Sequence, residues 1–490
     1  MAFPLNKSTT IAITGLLIAW KLYLSATLQL HPDEAYYWLW ARHLDWGYFD
    51  HAPMIGYLIR ATTVFADSEG WVRLSGTLAT LTISVLIWRL AVQMFHSTEV
   101  ASASVLLFNA FPMTALGLLI VTPDVPVFVF WTLSVYLFWQ IVQTGQARWW
   151  YALGLSVGLA LLSKYTAVLL LPCVFLYLLA TQERRWLKTL HPYLALLLAV
   201  LVFMPVVYWN SQHEWISFRY QLGHGLKGDG YALERVGEYL AGQAFIVGPL
   251  AWGVGLCALA VALFQKDKAV RWLLLSTLPV LAFFALSSLK KTAAPNWPAF
   301  ANVGLSVLIA WYLLQKPARW SHALFGGAFA VSLLISLIVT LHARFGVLPL
   351  ATFSPEAAQA DATNALYGWR ELTQELEHRS AGARLVITSD HQLSAAIRYY
   401  SRERLIAVTD HTTRPSSLSQ WGWPAEQEGR DGLYLWAAGH RTWVSPYEEF
   451  FAETTKAPPI PVFRPGHATP IRTYNLVIGH GANFAAEPGR

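Results

Sequence analysis

Along the first two thirds of the chain, apolar residues come in runs too long for the alternating or 3.6-residue patterning of a soluble core. Roughly 11 of these runs suit membrane helices. They centre on residues 10–30, 72–94, 99–121, 124–142, 149–163, 165–181, 190–209, 240–264, 270–289, 297–314 and 320–342. The first lacks a small-x-small cleavage site and continues directly into HPDEAYYW, which predicts a retained span rather than a removable signal. Beyond residue 343 the pattern changes. RLVIT (384–388), LIAV (405–408), LYLWA (433–437) and YNLVI (474–478) are short and β-rich. Helical spacing marks 392–400 and 358–378, while the Pro-rich APPIPVFRP (457–465) predicts an ordered loop. The pattern thus predicts a mainly α polytopic membrane domain over 1–343, then a soluble α/β domain over 344–490 with a partly parallel sheet.

Composition sharpens the division. The 490 residues are 55% hydrophobic and 13% charged, with a mean hydropathy of +0.39 and 23 Trp, against about 25% charged in soluble proteins. Residues 1–343 hold 21 Lys+Arg and 14 Asp+Glu, whereas residues 344–490 hold 14 and 15. These figures exclude a disordered chain, a nucleic-acid binder and a cytosolic enzyme. The net charge of +6 arises in the membrane part, where loop Lys and Arg orient the spans. Applied to Lys7, Arg148, Arg184, Arg185, Lys188, Lys266, Lys268, Arg271, Lys316 and Arg319, the positive-inside rule puts the N terminus in the cytoplasm and the tail outside. Both cysteines, Cys173 and Cys257, sit in apolar runs and read as small buried residues rather than a disulfide or a thiolate site. The tail contains no glycine-rich nucleotide loop.

Candidate chemistry gathers on the outer side. In the stretch 31–60, HPDEAYYWLWARHLDWGYFDHAPMIGYLIR, Asp33 and Glu34 stand where the first span emerges. A carboxylate pair there is costly to desolvate unless it faces a cavity, a cation or a reacting group. The aromatics that follow suit a helix lying in the membrane interface. Asp50, Tyr48 and His51 sit in the next turn, and Asp124 in TPD at a short outer connection. Lys and Arg on the outer side need a reason, which singles out Arg60, Lys164, Arg219, Lys290 and Lys291 as cations for an anionic ligand. Loop 210–239 reads as a mobile lid, with Tyr220 able to stack on a sugar and His224 or Arg219 able to reach a phosphate. His31, Asp33, Asp50, His51 and Asp124 include plausible ligands for a divalent ion. With no His pair at i, i+4 and no DxD, a metal is not required, and no cofactor is implied.

DEAYYWLWARHLDWGYFDHAP (33–53), TPDVP (122–126), GLALLSKYTAVLL (158–170) and KKTAAPNWPAFA (290–301) together resemble the GT-C membrane glycosyltransferases of family 39, the protein mannosyltransferase and aminoarabinose transferase type, over about residues 10–310. The resemblance implies transfer of a sugar from a polyprenyl-phosphate carrier to a lipid A, other glycolipid, polysaccharide or protein acceptor, with inversion, on the outer face of a bacterial inner membrane. By position it implies Asp33 as the catalytic carboxylate, Glu34 as its neighbour and Asp124 as the second acid of the cavity. His51 and Ala52 stand where the aminoarabinose transferases carry Lys and Pro, so the phosphate-holding role falls to His51 or passes to Lys164 or Lys290. Asp50, Tyr36, Tyr48, Tyr220 and His224 are then expected at the sugar and acceptor. The alternative is a flippase of lipid-linked sugars, which needs broken helices and acids near mid-membrane; here the acids cluster at the outer boundary.

Overall fold

The computed structural model describes residues 5–226, 228, 230–315, 318–410, 414–438 and 447–486. The membrane part contains α1 (Lys7–Thr27), α2 (Pro32–Arg42), α3 (Met54–Thr62), α4 (Glu69–Phe95), α5 (Thr98–Ala110), α6 (Pro112–Gly117), α7 (Asp124–Thr144) and α8 (Arg148–Ser163). It continues with α9 (Leu170–Ala180), α10 (His191–Gln212), α11 (Ile216–Leu226), α12 (Glu234–Val247), α13 (Pro249–Ala262), α14 (Lys268–Ser288), α15 (Asn302–Leu314) and α16 (Arg319–Phe345). All eleven apolar runs are helical. By length and composition, however, only six described helices cross a membrane unaided, or up to eight if two bent pairs each count as one span. The rest are short or broken for visible reasons. Phe111 in extended conformation before Pro112 separates α5 from α6, because a residue preceding proline avoids helical angles. Gly248 at φ 98° before Pro249 turns α13 away from α12 by 110°. Cys257, expected to be buried, is exposed on α13; Cys173 is buried.

The tail carries two short turns, α17 (Leu350–Phe353) and α18 (Pro355–Gln359), then α19 (Trp369–Arg379), α20 (His391–Tyr400) and α21 (Ser417–Trp421). Its strands are β1 (Leu385–Thr388), β2 (Ile406–Thr409), β3 (Gly432–Ala437), β4 (Phe451–Val462) and β5 (Arg472–Ala482), in spatial order β2-β1-β3-β5-β4. β1 pairs in parallel with β2 and β3, whereas β5 runs antiparallel to β3 and β4. The expected loop at 457–465 is largely strand: three of its four prolines, Pro458, Pro459 and Pro461, lie in β4, an edge strand with a register shift between Ala457 and Ile460, where a missing N–H costs no ladder bond on the open side.

The tail seats directly on the segment that follows α1, residues 31–60. α2 is covered by α20 rather than lying in the interface: Trp38 meets Tyr399 edge-on at 5.1 Å, Tyr36 meets His391 at 4.8 Å, and the Leu30 N–H donates to Tyr400 Oη at 2.7 Å. The expected membrane-facing aromatics therefore form core.

A second tie joins α16 to the sheet. The Asp361 carboxylate accepts from Thr363 N and Oγ1 (2.9 and 2.7 Å) and Arg464 Nη1 (2.8 Å), with His342 Nε2 at 2.9 Å. Burial works against this carboxylate, yet the donors hold it below the ordinary carboxylate range. A depressed folded pKa contributes stability that is complete above the unfolded value of about 3.9 and is lost as pH falls through the folded one. Limited proteolysis at the α16 junction is therefore expected to stay slow at neutral pH and accelerate only below about pH 4, and Asp361→Asn should accelerate it at pH 7.

Candidate active site

At the junction of the α2–α3 loop, the start of α7, the α8–α9 turn, α11, the end of α14 and the tail lies a cavity of about 1050 Å³. Its two ends differ in chemistry. Leu161, Val168, Leu169, Phe203, Phe283 and Phe284 line an apolar half between helices, while Asp33, Asp50, His51, Asp124, Lys164 and Arg414 line a polar half.

Local sequence explains the polar placements. Pro32 fixes the first helical residue of α2 and His31 caps it, so Asp33 projects from the first turn, where the helix dipole favours an anion. Asp33 Oδ1 accepts from Gln392 Nε2 at 2.6 Å, and His31 Nδ1 lies 3.6 Å from Oδ2. Asp33 is 36% exposed, the most open acid of the cavity. Asp124 opens α7 in the same manner but is buried, accepting from Lys164 Nζ at 2.6 Å and Asn296 Nδ2 at 2.7 Å. Lys164 sits at the break between α8 and a 3₁₀ turn, in extended conformation, which turns its side chain from the helix face into the cavity. Asp50 accepts from Tyr36 Oη and, at 2.5 Å, from Arg414 Nη1. Burial raises its carboxyl above the usual range, and Arg414 and Tyr36 draw it back only in part. His51 Nδ1 faces Gln221 Nε2 at 3.2 Å.

The structure therefore brings together Asp33, Tyr36, Asp50, His51, Asp124, Lys164 and Tyr220 of the residues singled out from sequence. It does not bring in the others. Glu34 is fully buried behind the cavity wall, where Arg73 Nη2 donates to it at 2.6 Å. Tyr48 stacks on Trp40 at 4.0 Å, and its hydroxyl donates to Trp40 O and His43 O; it packs the loop. Arg60 is exposed in the last turn of α3. Arg219 is 64% exposed and pairs with Glu214 at 3.5 Å, because α11 turns Tyr220 and Gln221 inward and Arg219 outward. Lys290 lies over Tyr231 at 5.7 Å and Lys291 is exposed, neither lining the cavity. The side chain of His224 lies outside the described residues. Segment 210–239, read as a lid loop, contains the helix α11. Asn296, within the KKTAAPNWPAFA stretch, holds Asp124. Among the described residues, no group of three or more His, Cys, Asp or Glu side chains is placed to hold a metal ion.

Residues 50–209 match the family profile described as dolichyl-phosphate-mannose-protein mannosyltransferase. The chain is 28% identical to the lipid A galacturonosyltransferase RgtD of Rhizobium johnstonii over 76% of this chain and 77% of that one. It is 26% identical to the undecaprenyl phosphate-alpha-4-amino-4-deoxy-L-arabinose arabinosyl transferase of Pseudomonas aeruginosa over 86% and 92%. Its fold matches the apo crystal structure of ArnT from Cupriavidus metallidurans with a TM-score of 0.67 at 16% identity, covering 99% of each chain. The same enzyme bound to undecaprenyl phosphate gives 0.65 at 14% identity over 96% and 97%. The chain has the GT-C fold of ArnT.

Besides Asn296, the cavity residues that sequence reasoning missed include two from the tail. Gln392 starts α20 just after β1, and Arg414 follows β2; Arg414 also donates to Tyr220 Oη at 2.7 Å and meets His391 Nε2 at 2.8 Å. In open α/β sheets, ligands bind beyond the carboxyl ends of parallel strands. Once RLVIT and LIAV were read as parallel strands, that rule pointed to the residues directly after them.

Proposed function

We propose that the protein transfers a sugar from a polyprenyl-phosphate carrier to lipid A or a related glycolipid on the outer face of a bacterial inner membrane, with its tail periplasmic and its N terminus cytoplasmic. One observation carries this reading: a single cavity joins an apolar half between membrane helices to a polar half holding an open carboxylate and a buried Lys–Asp pair. A prenyl chain fits the first and a phosphosugar the second. The similarity to RgtD and to the P. aeruginosa arabinosyl transferase supports the same class of donor and acceptor.

The chemistry follows from the placements. Asp33 takes the proton from an acceptor hydroxyl as its oxygen attacks the anomeric carbon. The anomeric C–O bond to phosphate breaks and the electron pair leaves with the phosphate oxygen. Direct displacement inverts the anomeric centre. Lys164 stands on the side of the cavity where the prenyl half begins and neutralises the departing phosphate. Asp124, itself held by Asn296, holds Lys164 in place before the donor arrives, so its position is preset.

The test is radiolabel transfer in native membranes supplied with polyprenyl-phosphate sugars. Label is expected to pass from the carrier to an extractable glycolipid. Consumption of no donor, with labelled carrier still crossing the bilayer, would replace this reading with a flippase.

A further inference from the structure

The tail contributes the only guanidinium that lines the cavity among the described residues, and its surroundings specify what it binds. Arg414 Nη1 donates to both Asp50 Oδ1 (2.5 Å) and Tyr220 Oη (2.7 Å), and Nη2 meets His391 Nε2 (2.8 Å). These contacts occupy three of the five N–H groups that a guanidinium offers. The Nε–H and one Nη2–H remain, and the Arg414 side chain is 35% exposed beside the cavity. Neighbouring guanidinium N–H groups match the two oxygens of a carboxylate. From the same edge of the tail, Gln392 reaches Asp33, so the guanidinium and the proposed base are held by one structural unit.

The other charges limit the alternatives. Asp50 is committed to Arg414 and Tyr36, and Asp124 to Lys164 and Asn296. Asp33 is the remaining acid among the described residues that line the cavity, and the reaction needs it as a base. An amino sugar would thus find no spare carboxylate for its ammonium, whereas a sugar acid finds a guanidinium with N–H groups to give. Phosphate has its own cation in Lys164, beside the apolar lining of Leu161, Val168 and Leu169. The sugar lies between that phosphate and the tail.

We infer that Arg414 recognises a carboxylate on the transferred sugar, making the donor a polyprenyl-phosphate hexuronic acid. This rests on the donor class proposed above and goes beyond it by naming the sugar and the residue that reads it.

Three donors differing only in the sugar test it in wild-type membranes: a hexuronosyl, the corresponding neutral hexosyl, and a 4-amino-pentosyl polyprenyl phosphate. The hexuronosyl donor is expected to be preferred in kcat/KM by roughly 10- to 100-fold, the range of a charge-assisted hydrogen-bonded pair. Arg414→Ala should remove that preference, while Arg414→Lys, which keeps the charge but loses the fork, should retain part of it. Thermal melting of each variant in detergent identifies any loss that is only misfolding, and rates are compared per folded molecule. Preference for the amino or neutral sugar would overturn the inference and leave the transferase reading standing. Equal loss on all three donors in Arg414→Ala would assign the residue to the phosphate and overturn it likewise. Transfer from none of the three would overturn the donor class itself, and the inference with it.

Discussion

Asp33→Asn is expected to lower glycosyl transfer by at least about 100-fold per folded molecule, the low end of a general base's contribution. The argument rests on how differently the cavity treats its acids. Asp50 and Asp124 are buried and each is bonded to a cation, at 2.5 and 2.6 Å. The oxygens of a carboxylate so paired are committed to the partner. Asp33 faces the open part of the cavity, and one of its oxygens accepts from a neutral amide, Gln392. It is the acid that combines access to an acceptor hydroxyl with a free lone pair. Asparagine preserves size and still accepts from Gln392 through its carbonyl oxygen, so the fold should survive while proton acceptance is lost. The discriminating measurement pairs the transfer rate with retention of polyprenyl phosphate by the purified protein. Retention is expected to be unchanged, because the apolar half and Lys164 are untouched. A variant that transfers at near wild-type rates would move the base role to another group.

How much of this could be read from the chain depends on the range of the interactions involved. The spans, β1, β2, β3, β5 and α20 announce themselves through local periodicity, and Asp33, Asp124 and Lys164 through position, since a charge at an outer membrane boundary demands a reason. β4 was hidden by prolines whose cost depends on which strand stands at the sheet edge, a tertiary fact. Hydropathy registers apolar length and not the breaks at Pro112 and Pro249, so the roughly 11 runs include helices shorter than a full unaided span. Outer cations misled for a related reason: Arg60, Arg219 and Lys291 satisfy the same sequence criterion as Lys164 but point to solvent, and helix phase around a bent bundle is not a local property. Arg414 and Gln392 were out of reach from the membrane motifs because their partners lie 364 and 359 residues away. The soluble tail is part of the site, and its contribution becomes visible only when the sheet's carboxyl edge is set over α2.

Glu34→Ala is expected to destabilise the protein by about 3 to 5 kcal/mol, the cost of leaving one member of a buried ion pair uncompensated. The side chains of Glu34 and Arg73 are both wholly inaccessible. Arg73 donates to Glu34 through Nε and Nη2, and its remaining N–H groups reach Leu28 O and Gln29 O, both at 2.8 Å. Glu34 also accepts from the backbone N–H of His31 (2.9 Å) and of Val121 (3.0 Å). This one pair therefore ties the end of α1, the start of α2, α4 and the turn before Asp124. It sets the spacing between Asp33 and Asp124 without entering the cavity. Loss of Glu34 should appear first as a lower melting temperature and yield in detergent, with activity falling in proportion to folded protein. That proportionality separates it from Asp33→Asn, where folded protein is abundant and inactive. Replacing both partners by apolar residues, Glu34→Leu with Arg73→Met, should be more stable than either single change because no lone charge is left buried. It should still fall short of wild type, since the His31 and Val121 N–H groups lose their acceptor at about 1 to 3 kcal/mol each. If the double variant melts no higher than the worse single variant, the pair is not the fastening of segment 31–60, and the backbone bonds to Glu34 carry that role alone.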